Sequence, residues 1–160
     1  MEKYQEITGD LITLTKEGKF KVITHGCNCF CTMGAGIAPQ MAEAFGCDKF
    51  PSEDERLKGN INKLGTIDYK KIELVGDNKN VYVVNSYTQF NFKTVDNLKP
   101  FDYIAFALCM KKINSIFKGL SVGLPQIGAG LAGGDWNVIK DIIQRELKDC
   151  FVTIVIYNGK

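Results

Sequence analysis

The chain is 160 residues long, with the composition of an ordinary globular protein and a formal net charge of +2. That length suits one domain with a core of its own, and so small a charge offers nucleic acid no broad basic face. No apolar run reaches the length of a membrane span and Met1-Glu2-Lys3-Tyr4 opens no signal-peptide core, so a cytoplasmic protein away from membranes is expected, its six cysteines reduced.

Tyr4 to Thr8 reads as a first strand, and Gly9-Asp10 as a turn into a second apolar piece, Leu11–Leu14. Turn chemistry alone accounts for Asp10, whose side chain can cap its own backbone. The stretch from Lys21 to Phe45 organises the rest. Val22-Ile23-Thr24 has the β-branched content of a short buried strand, and His25-Gly26-Cys27-Asn28-Cys29 continues as a loop to Gly34-Ala35-Gly36. The pattern then turns helical from Ile37 through Met41 to Phe45, with Pro39 in the first turn and Gly46 as the C-cap. A strand, a glycine-rich loop and a helix start together make an anion site of convergent N–H groups. The spacing is neither G-x-G-x-x-G nor a P-loop. Cys27, Cys29 and Cys31 alternate, but C-x-C-x-C with one histidine in the chain is poor ligand spacing, and no metal is expected. Cys47, Cys109 and Cys150 lie in or near apolar segments and are expected in the core.

Pro51 to Arg56 begins a short helix, with Ser52 and Glu55 at capping-box spacing. Gly65–Leu74 and Val81–Ser86 read as strands joined by a turn from Gly76 to Asn80. Val81-Tyr82-Val83-Val84 is apolar enough for a central strand covered on both faces. After a polar loop, Pro100 leads into a helix with Tyr103, Ile104, Phe106, Ala107, Met110, Ile113 and Phe117 at spacings of three and four, closed by Gly119. Ser121–Leu124 is the next strand. Pro125 opens a second glycine-rich loop that runs to Trp136, a helix follows to about Lys148, and Cys150–Tyr157 is the last strand. Two such loops at the ends of neighbouring strands could hold a diphosphate between them. The alternation argues an α/β fold, a three-layer α/β/α sandwich with a mixed sheet, as a single domain over 1–160.

His25 is the only histidine, placed by this reading at the C-terminal end of a buried strand, where α/β proteins build their sites. Its ring exchanges protons near neutral pH, and a purely structural histidine is the competing reading. Asn28 fits an Asx-turn in a tight loop. Asp135, just before Trp136, fits an N-cap worth about 1 kcal/mol.

Gly9-Asp10-Leu11, the loop from His25 to Ala38, and Leu124-Pro125-Gln126-Ile127-Gly128-Ala129-Gly130-Leu131 resemble, in that order, the signature segments of macrodomains. These are ADP-ribose-binding modules, and the match covers nearly the whole chain. His-x-Cys-Asn-Cys and Gly-x-Gly-Ile-Ala point to the branch of ADP-ribose-1″-phosphate phosphatases and small ADP-ribosyl hydrolases. The resemblance implies the sandwich fold, ADP-ribose or a derivative as ligand, and ADP-ribosylated macromolecules as partners. No cofactor is called for, and a monomer is expected.

By the same resemblance Asp10 bonds the adenine amino group, with Gly9 and Leu11 beside it. Cys27, Asn28, Gly34, Gly36, Ile37 and Ala38 line the first loop, Asn28 on the distal ribose. Ser86, Tyr87 and Thr88 contribute from the strand between the loops. Pro125, Gln126, Ile127, Gly128, Ala129, Gly130 and Leu131 wrap the diphosphate and distal ribose. Tyr157 lies against the adenosine or caps the core edge. His25 would act on a terminal phosphate, as general acid/base or as nucleophile. Asp135 matches an aspartate in a Gly-Leu-Asp-Trp segment of related members, where a carboxylate serves as acid/base; other hydrolases place that acid three residues earlier, at what is here Ala132. Glycohydrolases of the branch carry an attacking lysine where this chain has Gln89, and glutamine cannot form that adduct. Lys93 is too far along to replace it. The favoured expectation is hydrolysis of ADP-ribose-1″-phosphate. A hydrolase of O-acetyl-ADP-ribose or ADP-ribosyl linkages and a non-catalytic reader are the alternatives.

Overall fold

Strands and helices alternate along the chain except at one hairpin, and assemble into one mixed sheet with helices on both faces. The computed structural model describes residues 2–31, 33, 36–53, 59–76, 79–91, 95–130 and 132–157. The strands are Tyr4–Thr8 (β1), Val22–Asn28 (β2), Ile67–Glu73 (β3), Asn80–Gln89 (β4), Ser121–Leu124 (β5) and Phe151–Ile156 (β6), in the order β1-β6-β5-β2-β4-β3. All neighbours are parallel except β3, which pairs antiparallel with β4. The helices are Leu11–Lys16 (α1), Ala38–Phe45 (α2), Tyr103–Ile116 (α3) and Trp136–Glu146 (α4). The expected three-layer sandwich is the one that forms.

Alternation along the central strands sends side chains into two cores. Val22 and Val84 join Met110, Ile113, Ile139 and Ile143 beneath α3 and α4. Ile23, Val81 and Val83 join Leu11, Met41 and Phe45 beneath α1 and α2. Each of these buried aliphatic or aromatic side chains contributes about 1.5–3 kcal/mol relative to exposure. Local signals set the helix ends. Asp102 accepts from the Ala105 amide at 2.9 Å to start α3, and Gly46 takes φ +68 to end α2. Among the described residues, no helix is long and apolar enough to cross a membrane.

Three expectations change in detail. The apolar piece after Gly9-Asp10 is helix α1, because Asp10 caps it by accepting from the Thr13 amide at 2.9 Å. Strand β2 does not end at Thr24 but runs on to Asn28, since its ladder with β4 continues through Gly26↔Ser86 and Cys27↔Tyr87 before the register slips. The segment expected to open a helix at Pro51 is the end of a 3-10 turn, Cys47–Glu53; Glu55 of the capping box lies outside the described residues.

Candidate functional site

β2 and β5 are parallel neighbours, so their C-terminal ends open on the same edge of the sheet. Each runs into a loop and then a helix, β2 through 29–37 into α2 and β5 through 125–135 into α4. The N-termini of both helices therefore lie toward the same edge, where the helix dipole favours negative charge.

The second loop depends on glycine. Gly128 has φ +78, and a Cβ there would lie 2.5 Å from the Phe101 ring. Its carbonyl accepts from the Gly134 amide at 2.6 Å, and Gly133, at φ +76, donates to the Gly130 carbonyl at 3.0 Å. The loop ends at Asp135, which caps α4 by accepting from the Asn137 amide at 2.9 Å. The Asp135 amide donates to the Tyr103 hydroxyl at 2.8 Å. In the first loop the Asn28 side chain accepts from the Phe30 amide at 3.0 Å, an Asx-turn, and Cys31 takes φ 62. Between the loops the strands pack tightly: a Cβ at Gly26 would lie 2.9 Å from Thr88 Oγ1 and 3.0 Å from Ile127 Cγ2.

Beneath this edge a polar chain runs from buried His25 out to half-buried Asp68. His25 sits in mid-strand and is 0% exposed, with Nε2 2.7 Å from Asn85 Oδ1. Asn85 Nδ2 donates to Asp68 Oδ1 at 2.8 Å and to the Cys47 carbonyl at 2.9 Å. The second Asp68 oxygen accepts from Tyr87 Oη at 2.7 Å and from Lys63 Nζ at 3.3 Å. The Lys63 ammonium also stands 4.1 Å from the centre of the Tyr87 ring. Burial lowers the His25 pKa from its ordinary value, partly opposed by Asn85 and the Asp68 charge. Cys27 and Cys47 bring their sulfurs to 3.5 and 3.6 Å from His25 Nε2. They do not form the thiolate–imidazolium pair of a nucleophilic cysteine. Burial pushes the Cys47 thiol up to about 12 and the Cys27 thiol well above its usual range, while it drives His25 toward neutrality. Cys27, Cys29, Cys47, Cys109 and Cys150 are free thiols. Among the described residues, no group of three or more His, Cys, Asp or Glu is placed to hold a metal ion.

No protein-family model matches the sequence. A phage T4 protein described as an uncharacterized 17.5 kDa protein is 35% identical over 160 residues, covering 93% of each chain. An ADP-ribose 1″-phosphate phosphatase of Candida albicans is 24% identical over 151 residues, 88% of this chain and 91% of that one. Among solved structures, a Bacteroides thetaiotaomicron protein of unknown function matches 97% of this chain and 98% of its own at 30% identity and a TM-score of 0.73. The Thermus aquaticus DarG macrodomain matches 99% of this chain and 100% of its own, at 21% identity and a TM-score of 0.70. A Thermosipho africanus DarTG structure in complex with ADP-ribose matches 98% of this chain over 42% of its own length, at 17% identity and a TM-score of 0.72. This chain folds as a macrodomain. By sequence it belongs to one family with the phage T4 protein and the Bacteroides protein.

The macrodomain frame sorts the expected site residues. Asp10 and Gly9 sit at the start of α1, the Gly9 amide donating to the Ile156 carbonyl at 2.9 Å, while Leu11 is core and offers a ligand only its main chain. Gly36, Ile37 and Ala38 lead into α2; Gly34 and Leu131 lie outside the described residues. Pro125 and Gln126 are half-buried at the base of the second loop, as are Gly128 and Ala129, and Gly130 is exposed. Ile127 points into the core under α3 and α4. Ser86 and Tyr87 are fully buried and committed inside the protein, Ser86 to the Thr24 hydroxyl and Tyr87 to Asp68. Cys27 is 6% exposed and Thr88 1% exposed, so neither side chain forms an open wall. Tyr157 stands exposed just past β6. Gln89 donates to the Asn91 carbonyl at 2.9 Å, and Lys93 lies outside the described residues.

The placement of His25 departs most from expectation. The longer β2 moves it from the strand's end to its middle, and its ring is closed in. Sequence reasoning missed Asp68 and Lys63 altogether. The available signal was Asn85, a polar residue interrupting the apolar run of β4, which the antiparallel register places directly opposite Asp68.

Proposed function

We propose that this macrodomain binds ADP-ribose between the β2 and β5 loops and hydrolyses a derivative of its terminal ribose, ADP-ribose-1″-phosphate before others. The observation that carries the reading is the pair of strand–loop–helix units side by side on parallel strands, which brings two loops and two helix N-termini to one edge. Such a cradle suits a diphosphate and can stabilise charge developing on a phosphoryl group without a metal. Two likenesses support it: the Thermosipho structure holds ADP-ribose, and the Candida relative is a phosphatase of this substrate.

In the reaction proposed, water forms a new P–O bond as the bond from phosphorus to the ribose oxygen breaks. Asp135 is the exposed carboxylate on the second loop and the candidate acid/base that needs no opening of the core. Asn28, at the end of β2, would fix the distal ribose. His25 would act from beneath the site, and a direct contact with substrate requires its cover to open.

The test is phosphate release from ADP-ribose-1″-phosphate, with calorimetric binding of ADP-ribose alongside. Release together with binding is the expected result, and binding without release on this substrate counts against the phosphatase. A second reading, the non-catalytic reader, draws on a specific observation. Gln89 stands where related glycohydrolases carry lysine, His25 is enclosed, and the Asp135 carboxylate already serves as a cap. Binding with no turnover of phosphorylated or acetylated ADP-ribose would establish it. ADP-ribosylated macromolecules are the partners such a reader would take.

A further inference from the structure

Asn85 has a single workable amide orientation. Its Nδ2 lies 2.9 Å from the Cys47 carbonyl oxygen and 2.8 Å from Asp68 Oδ1, so both amide protons are taken up by acceptors. Its Oδ1 then faces His25 Nε2 at 2.7 Å, and an oxygen acceptor at that distance requires a proton on the nitrogen. A neutral imidazole carries one proton, which leaves Nδ1 as a lone pair. That nitrogen is buried and has no partner among the described residues. A second proton on Nδ1 would place a charged donor there with nothing to accept it, in a setting that already disfavours the charged ring. The groups facing the ring from each side do not alter this. Cys27 on β2 and Cys47 on the 3-10 turn approach Nε2 and stay thiols, and Asp68 on β3 acts through Asn85. The charge of Lys63 is matched by Asp68.

We infer that His25 is a neutral imidazole protonated at Nε2, with Nδ1 held as the acceptor for an O–H donor, and that Asn85 and Asp68 are its positioning residues. The donor is a bound water or a hydroxyl of the ligand. Only the ligand half of the inference rests on the ADP-ribose reading. The assignment removes one of the roles considered for the histidine: a ring fixed this way accepts a hydrogen bond and so orients a hydroxyl, and does not donate a proton from Nδ1.

Because the chain has one histidine, its two ring nitrogens give one unambiguous set of long-range 1H–15N correlations in the full-length protein. The expected pattern is a protonated Nε2 and an unprotonated Nδ1, unchanged from about pH 5.5 to 8, the range in which an ordinary histidine titrates. An Nδ1–H pattern, or a titration within that range, overturns the inference. An Nδ1 resonance displaced toward the hydrogen-bonded position in the protein alone identifies water as the donor. Displacement only on adding ADP-ribose identifies a ligand hydroxyl. A resonance at the unbonded position both without and with saturating ADP-ribose overturns the acceptor role. If ADP-ribose does not bind at all, the binding reading fails, while the tautomer and water results, measured without ligand, still decide this one. Asp68→Asn is expected to give a mixed tautomer pattern by freeing the Asn85 amide to turn, with the Nε2–H pattern restored in Asp68→Glu. An unchanged pattern in folded Asp68→Asn overturns its positioning role. The wild-type spectrum decides the histidine assignment whether or not that variant folds.

Discussion

Asp135 and His25 both read as chemistry in the sequence and both serve structure, and variants separate the two uses. Asp135→Asn keeps an oxygen for the Asn137 amide, whereas Asp135→Ala loses the cap at a cost of about 1 kcal/mol, readable by urea denaturation. If the carboxylate is also the acid/base, Asp135→Asn loses phosphate release at nearly unchanged stability; a full rate in that variant leaves the aspartate a cap alone. His25→Ala takes the donor from Asn85 Oδ1 and opens a cavity in a fully buried place, together about 3 kcal/mol of stability. Below its melting range the variant is expected to bind ADP-ribose and release almost no phosphate, and retention of the wild-type rate would sink any part for the histidine in turnover. His25 stood out in the sequence because it is the only one. Its depth did not, because depth followed from how far β2 stays paired with β4, which Val22-Ile23-Thr24 does not reveal.

The glycines of the two loop–helix units differ in what holds them, and substitution should show it. At Gly46, ending α2, a Cβ meets open space and only the left-handed φ of +68 resists, so Gly46→Ala is expected to cost about 1 kcal/mol. At Gly128 the same strain is joined by the Phe101 ring at 2.5 Å from the new Cβ, and the loss should exceed that at Gly46 by at least about 1 kcal/mol, with ADP-ribose affinity falling as the loop is displaced. Equal melting shifts for the two variants would contradict this account of the second loop. Elements of this kind were legible because their signals are local: apolar spacing for α3, Pro39 and Gly46 for α2, the glycines before Trp136 for α4. The Asp68 network was not, because it exists only once β3 lies antiparallel on β4 in one register, opposing Asp68 to Asn85. Lys63 completes it from outside the sheet, in the turn Ile61–Lys63.

Over the whole molecule the shifted groups set a stability profile in pH. His25 has a folded pKa below its unfolded value of about 6.5, so the unfolded chain binds the extra proton and stability is lost as pH falls below about 6.5, by at most about 1.4 kcal/mol per unit for this one group. Cys27, Cys29, Cys47, Cys109 and Cys150 have raised folded values, so their contribution is complete below about 8.5 and is lost as pH rises through that point. Urea midpoints under reducing conditions should therefore be highest near pH 7–8 and fall more steeply on the alkaline side; a profile still rising beyond pH 9 would contradict the buried-thiol assignment. The sheet's outer pairing has a further consequence. β1 lies against β6, and the Gln5 amide donates to Thr153 Oγ1 across 148 positions of sequence. On a ribosome adding about 5–20 residues per second, β1 waits roughly 7–30 s for the strand that will hold it. Though made before the other five strands of this sheet, β1 is thus among the last to be secured, and the nascent chain must keep that ribbon out of other strands' reach until β6 has emerged.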